Sequence, residues 1–277
     1  MKVTVLLENA TPSSRLIAKH GLSLLLEAGE RRVLFDMGPD GSFLRNAHAL
    51  GVDVLSADAA VISHGHYDHG GGLGAFIEAS RDCAATVPVF VRQGAFGRHV
   101  SGSPGRHHDI GLDGALRDEP QVRVVAGDVD LGGGLRLFSC PKRSHPMPAS
   151  NSKLYVRRGE GFQHDDFIHE QGLLVCEGGR NILVAGCSHA GILNIMDCAE
   201  GLAGAPIDVV VAGLHLTNPS GGTTEGEAAT LELAREFARR KTKVYTFHCT
   251  GLPSFSLMRD VMGPRIEYLG CGSAREV

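Results

Sequence analysis

Short apolar runs rich in Val, Leu and Ile recur along the chain and alternate with stretches whose apolar residues return every three or four positions. A run of four to eight apolar residues bounded by turn residues suits a buried strand, and the 3.6-residue period suits a helix. The pattern predicts strands at 3–7, 22–27, 32–35, 59–63, 87–91, 122–125, 135–138, 173–176, 181–185, 208–212 and 243–247, with helices at 43–50, 73–80, 192–202, 225–240 and 254–261. Strands dominate both halves and helices follow them, which is the order of an α/β chain.

The two halves echo each other. GLSLLLEAGERRVLFDMG leads to a helical stretch and then to AAVISHGH; GLLVCEGGRNILVAGCS leads to a helical stretch and then to DVVVAGLH. Each reads as a hairpin with a glycine-containing turn, a helix, and a buried strand ending in polar residues. If the echo is a duplication, two similar sheets face each other with helices outside, and His64 and His215 leave comparable strand ends on one edge. Residues 92–118 break the pattern: they are rich in Gly, Arg and His without a clear period, and read as a long loop, a candidate lid or an ordinary solvated insertion.

Composition narrows the classes. The 277 residues, 43% of them hydrophobic, can form a sizeable core as one domain over 1–277, and 37 glycines suit many tight turns. With no Trp, few aromatics and a net charge of −4, a nucleic-acid surface is not expected. The one dense basic run, Arg239 to Lys243, falls at a predicted helix C-terminus, where cations are favourable. No apolar run reaches membrane-spanning length, and the N-terminus MKVTVLLENA reads as a strand rather than a leader. Seven scattered cysteines without a CxxC pair predict no disulfide framework and a reducing, cytoplasmic home.

The chemistry concentrates in Ser63-His64-Gly65-His66-Tyr67-Asp68-His69-Gly70-Gly71-Gly72. His64 and His66 leave a strand end on the same side and can share one metal, while Asp68 and His69 follow a turn and can reach a neighbouring ion. Imidazole and carboxylate donors suit zinc first, with manganese and iron as alternatives. Such a set predicts two divalent ions and a metal-activated water acting as nucleophile.

The HxHxDH string resembles the signature of the metallo-β-lactamase superfamily, and other elements appear in the superfamily's order: LFDMG at 34–38, GCSHAG at 186–191 and FHCTG at 247–251. The resemblance implies an αββα sandwich of two facing mixed sheets with outer helices. It implies that His64, His66 and another histidine hold one metal, that Asp68, His69 and His248 hold the other, and that Asp36 supports the ligands without being one. Many members carry a bridging Asp at the strand end occupied here by Val184-Ala185-Gly186; this chain has Gly-Cys-Ser-His there, so the bridge is expected to be missing and His189 to replace either the usual third histidine or the bridging carboxylate. His189 is the preferred third histidine because it sits at a strand-to-helix junction; His145 competes, and Cys187 is a thinner candidate. A narrower set, Glu8-Asn9, His20-Gly21-Leu22-Ser23, GCSHAGI, Gly213-Leu214-His215-Leu216 and HCTG, resembles the dihydropterin-6-methyl-(ribofuranosyl)aminobenzene 5′-phosphate synthase group and its metal-dependent hydrolases.

The expected activity is a dinuclear metal-dependent hydrolase of an ester, amide or phosphoester. The alternatives are a synthase-like transferase with a pyrophosphate leaving group, or a degenerate ligand-binding sensor. The expected partner is a small molecule, phosphate- or pterin-bearing in the narrower resemblance, with no nucleic acid or membrane and the oligomeric state left open. Asp68 is expected to ligate and orient the water. His215 is expected to touch substrate or give a proton without ligating, since a seventh protein ligand would close the open position catalysis needs. Weaker candidates are His20, after a helical-looking stretch, Lys142 and Arg143 for a phosphate, and His107 and His108 in the lid.

Overall fold

The computed structural model describes residues 1–83, 85–103, 105–218 and 222–277. One seven-stranded sheet runs, edge to edge, through Ala274–Glu276, Lys2–Leu7, Ser23–Ala28, Arg31–Phe35, Ala59–Ile62, Val89–Arg92 and Val122–Val125. A second runs through Ile266–Tyr268, Lys243–Thr246, Val209–Ala212, Arg180–Ala185, Gly172–Glu177, Leu135–Phe138 and Val129–Gly132.

The continuous apolar runs follow from burial on both faces of these sheets. Leu24, Leu26, Val33 and Phe35 of the first sheet meet Ile182, Val184, Val209 and Val211 of the second in a common core between the sheets. Their alternating neighbours point outward: Leu25 and Leu34 pack with Phe43, Ala47, Leu73 and Phe76 of helices Ser42–Ala49 and Leu73–Ser80. On the other side Leu183 and Val210 pack with Ile195, Met196, Phe237 and Met258 of helices Ile192–Ala203, Glu227–Arg240 and Leu252–Met262. The layers are therefore helix, sheet, sheet, helix, as expected.

The echo between the halves is topological. Ser23–Ala28 and Arg31–Phe35 pair antiparallel, and Ala59–Ile62 returns parallel to the latter after a helix. Gly172–Glu177, Arg180–Ala185 and Val209–Ala212 repeat that arrangement.

Three expectations need correction. The stretch 92–118 is not aperiodic loop: His99–Ser103 and Arg106–Asp109 form two strands of a four-stranded sheet with Leu154–Arg158 and Gly161–His164. Arg106–Asp109 and Gly161–His164 are largely solvent-exposed, so no apolar alternation marked them; each is the outer strand of a hairpin, and the two hairpins join where His99–Ser103 pairs with Leu154–Arg158. Residues before His20 form turns and bends rather than a helix. Cys140 and Cys198 form a disulfide, with Cα atoms 5.8 Å apart, so cysteine spacing no longer argues for a reducing compartment. Among the described residues, no helix is long and apolar enough to cross a membrane.

Candidate metal centre

Four strands deliver their C-terminal ends to one place, the position at which α/β sheets present ligand-binding groups. After Ala59–Ile62 come Ser63, His64 and His66, then a single turn, Tyr67–Gly70, that carries Asp68 and His69. Arg180–Ala185 leads to Cys187 and His189, Val209–Ala212 to His215, and Lys243–Thr246 to His248 and Cys249. All of these side chains are buried.

Hydrogen bonds set which ring nitrogen faces inward. Asn151 Nδ2 donates to the His189 carbonyl, which turns Asn151 Oδ1 toward His189 Nδ1 at 2.9 Å, so Nδ1 carries the proton and donates. Asn9 does the same for His248, with Oδ1 2.8 Å from Nδ1. Ser63 Oγ donates to Asp36 Oδ2 and therefore accepts from His64 Nδ1 at 2.8 Å. Asp36 Oδ2 accepts from His69 Nδ1 at 2.6 Å. Outer oxygens thus hold the Nδ1 protons of four rings, and each Nε2 is aimed at the site, the arrangement that orients metal-binding histidines.

The inward atoms fall into two groups. His64 Nε2 lies 3.1 Å from His66 Nδ1 and 3.2 Å from His189 Nε2. His69 Nε2 lies 3.3 Å from His248 Nε2, and Asp68 Oδ2 lies 3.3 Å from His248 Nε2 and 3.9 Å from His69 Nε2. Donors about 2.0–2.1 Å from a zinc ion in a tetrahedron stand about 3.3 Å apart, so both groups have the spacing of a coordination shell. The donor set fits the divalent ions the sequence implies.

Electrostatics agree. Burial, then neighbouring His69 and His66, pushes His64 well below its usual range; burial also lowers His66 and His189, keeping all three neutral and able to ligate. Burial would raise Asp68, yet His69, His20 and His248 hold its carboxyl well below the usual range. Burial also works against charging His69, but Asp36 and Asp68 outweigh it and push its pKa up to about 9. A proton on His69 competes with a cation below that pKa and stops competing above it. Metal affinity is therefore expected to climb with pH up to about 9, which competition with a chromophoric chelator across pH will measure.

The backbone is strained where the chemistry lies. Asp36, Ser188, His215 and His248 adopt positive φ, from 45° to 62°, although none is glycine. Gly186 is required by a close approach: a Cβ there would stand 2.2 Å from Ser63 Oγ and 3.3 Å from Asp36 Oδ2. Gly186→Ala is expected to destabilise the fold by about 1–3 kcal/mol, read from the urea midpoint, by displacing the serine that holds His64.

Several supporting residues were not singled out from the sequence. Glu170, buried, accepts the backbone N–H of His189 at 2.7 Å and of Ala190 at 2.8 Å; burial raises its pKa to about 6 despite these bonds. Glu8, noted only as part of a motif, does the same for His248 N at 2.7 Å and also accepts from Tyr268 Oη at 2.6 Å. Asp165 Oδ2 binds His99 Nδ1 at 2.7 Å and His169 Nε2 at 3.2 Å, while His169 Nδ1 accepts from Gly65 N at 2.9 Å and so holds the motif loop. No local pattern marks such partners.

The weaker candidates separate. His20 Nε2 reaches Asp68 Oδ2 at 3.2 Å, at the rim. His145 pairs with Asp197 at 3.0 Å on helix Ile192–Ala203 and stands outside both groups. Arg143 is engaged with Met147 and the Asp166 carbonyl, and neither it nor Lys142 lines the site cavity. His107 packs on Tyr155 and Phe162, and His108 sits on an exposed strand position. His215 behaves differently: its ring lies 4.0 Å from that of His189, lines a cavity of about 40 Å³ beside Asp68 and His66, and neither ring nitrogen has a hydrogen-bond partner.

Fold and site together define the class: the layered fold is that of the metallo-β-lactamase superfamily's solved structures, and the superfamily's model matches residues 17–152 of this chain. Among its relatives, the 7,8-dihydropterin-6-methyl-4-(β-D-ribofuranosyl)-aminobenzene-5′-phosphate synthase of Methanocaldococcus jannaschii is 25% identical over 92% of this chain and 89% of its own. The solved structure of Tm1679, a metal-dependent hydrolase of the β-lactamase superfamily, is 26% identical and superposes with a TM-score of 0.82 over 100% of this chain and 99% of that one. Zinc-bound PqqB from Methylobacterium extorquens, 14% identical with a TM-score of 0.57 over the full length of both chains, shares the fold.

Proposed function

We propose that the chain is a dinuclear metal-dependent hydrolase acting on an ester, amide or phosphoester of a small molecule. The observation that carries this reading is the pair of donor groups, His64/His66/His189 and Asp68/His69/His248, whose inward atoms lie 3.1–3.9 Å apart with their outer nitrogens or backbone tied down. When bound, zinc, or manganese or iron in its place, supplies a Lewis acid for a carbonyl or phosphoryl oxygen and lowers the pKa of water.

The chain's own residues then do the rest. Asp68, kept ionised, ligates and orients the attacking water. His215, with its ring nitrogens unengaged, holds or delivers the proton for the leaving group. Ile110 and Leu154, at the base of the four-stranded sheet, wall the cavity and exclude bulk water, which gives that sheet the part of a lid. A phosphate- or pterin-bearing substrate is the class suggested by the synthase relative. That relative's name, a synthase, also favours a second reading, a transferase; the leaving group expected for it from the sequence resemblance is pyrophosphate.

The test is a panel of lactones, amides, phosphoesters and a pterin-bearing pyrophosphate ester supplied with an amine acceptor, run in isotopically labelled water. Chelator-sensitive turnover with label in the product supports the hydrolase. Turnover that releases pyrophosphate without label would transfer the proposal to the synthase-like reading, and ligand binding with no turnover of any kind would leave a sensor.

A further inference from the structure

We propose that Cys187 supplies a metal ligand shared by the two donor groups, its thiolate standing between them; this rests on the two-ion reading above. Cys187 is buried, at 3% exposure, immediately beyond the end of strand Arg180–Ala185. Its Sγ lies 3.1 Å from His69 Nε2. It also lies within 4.8 Å of donor atoms on both sides: with His64 and His69 in one set, with His248 and Cys249 in a second, and with His189 and His215 in a third. No other side chain in these sets keeps company with members of both groups so evenly. The rings of His64 and His69 are themselves only 4.2 Å apart between centroids, so a donor touching both sits at the junction of the two groups.

The neighbouring thiol is placed differently. Cys249 Sγ accepts the backbone N–H of His215 at 3.2 Å and contacts the Cys187 carbonyl at 3.7 Å, so it ties two strand ends together. Cys187 Sγ instead faces ring nitrogens whose lone pairs point inward. A cation held by those nitrogens makes the thiolate the stable form: binding forms the metal–sulfur bond, breaks the S–H bond and releases the proton to solvent. A buried thiolate with cations on both sides has the compensation that a buried charge requires.

The test uses cobalt(II) as both ligand and reporter, on the full-length protein loaded in place of its native metal. The wild type is expected to bind two ions and to show a sulfur-to-cobalt charge-transfer band. Cys187→Ser is expected to lose the band and one ion, and Cys249→Ser to keep both. Cys187→Asp, which retains a charged donor and guards against a mere folding defect, is expected to hold two ions without the band. A Cys187→Ser protein with two ions and an undiminished band would overturn the proposal while leaving the two-ion reading intact, and a band lost only in Cys249→Ser would assign the sulfur to the other thiol. A wild type that takes up fewer than two ions would overturn the two-ion reading and the shared ligand with it.

Discussion

His189→Ala is expected to lose one of the two ions and to lower turnover by at least about 10³-fold, beyond the 10- to 100-fold typical of removing a residue that merely orients a ligand. Its Nε2 faces His64 Nε2 at 3.2 Å, and Asn151 and Glu170 hold the ring and its backbone so that the lone pair points inward. His145→Ala is expected to keep both ions, because His145 is engaged with Asp197. Elemental analysis and steady-state rates on the two variants check this. Metal loss in His145→Ala alone would reverse the assignment. Asn151→Ala provides a graded companion: the ring keeps its place in the chain but loses the acceptor for its Nδ1 proton, so affinity should fall without abolishing binding.

The second large effect concerns His215. His215→Ala is expected to retain fold and both ions while kcat falls by about 10²- to 10⁴-fold, the range for loss of a general acid or base. Two observations motivate this. The ring lines the cavity beside Asp68 and His66 with both nitrogens unpartnered, and a φ of 45° strains the backbone at that residue. A buried imidazole without partners is costly to keep, and strain of this kind persists where the surroundings impose it. Loss of an ion in the variant would make His215 a ligand, and unchanged kinetics would return it to the packing around His189.

What the sequence revealed of this site is what lies close together along it. His64, His66, Asp68 and His69 occupy six consecutive positions after a buried strand, so their convergence follows from one strand end and one turn. The two half-chain echoes led to the strand ends bearing His189 and His215 because hairpin, helix and parallel strand each leave a local signature. The partners that choose the ring tautomers are different in kind. Asn9 reaches His248 across 239 positions and Asn151 reaches His189 across 38, so only tertiary packing brings them together. The same holds for the His99–Asp165–His169 network beneath Gly65; Cys187 is already a candidate ligand from its strand-end position, and only its 3.1 Å approach to His69 needs tertiary packing to appear. The four-stranded sheet escaped notice because strands such as Arg106–Asp109 bury little apolar surface, and the disulfide joins residues 58 apart that no spacing rule connects.

The central claim is that this chain works through two bound divalent ions. Elemental analysis of protein purified without chelators, with turnover measured on the same sample before and after chelation and re-addition of metal, tests it most directly. The account predicts two ions per chain and activity that disappears with the ions and returns with them. Full turnover in a chain stripped of metal would contradict it.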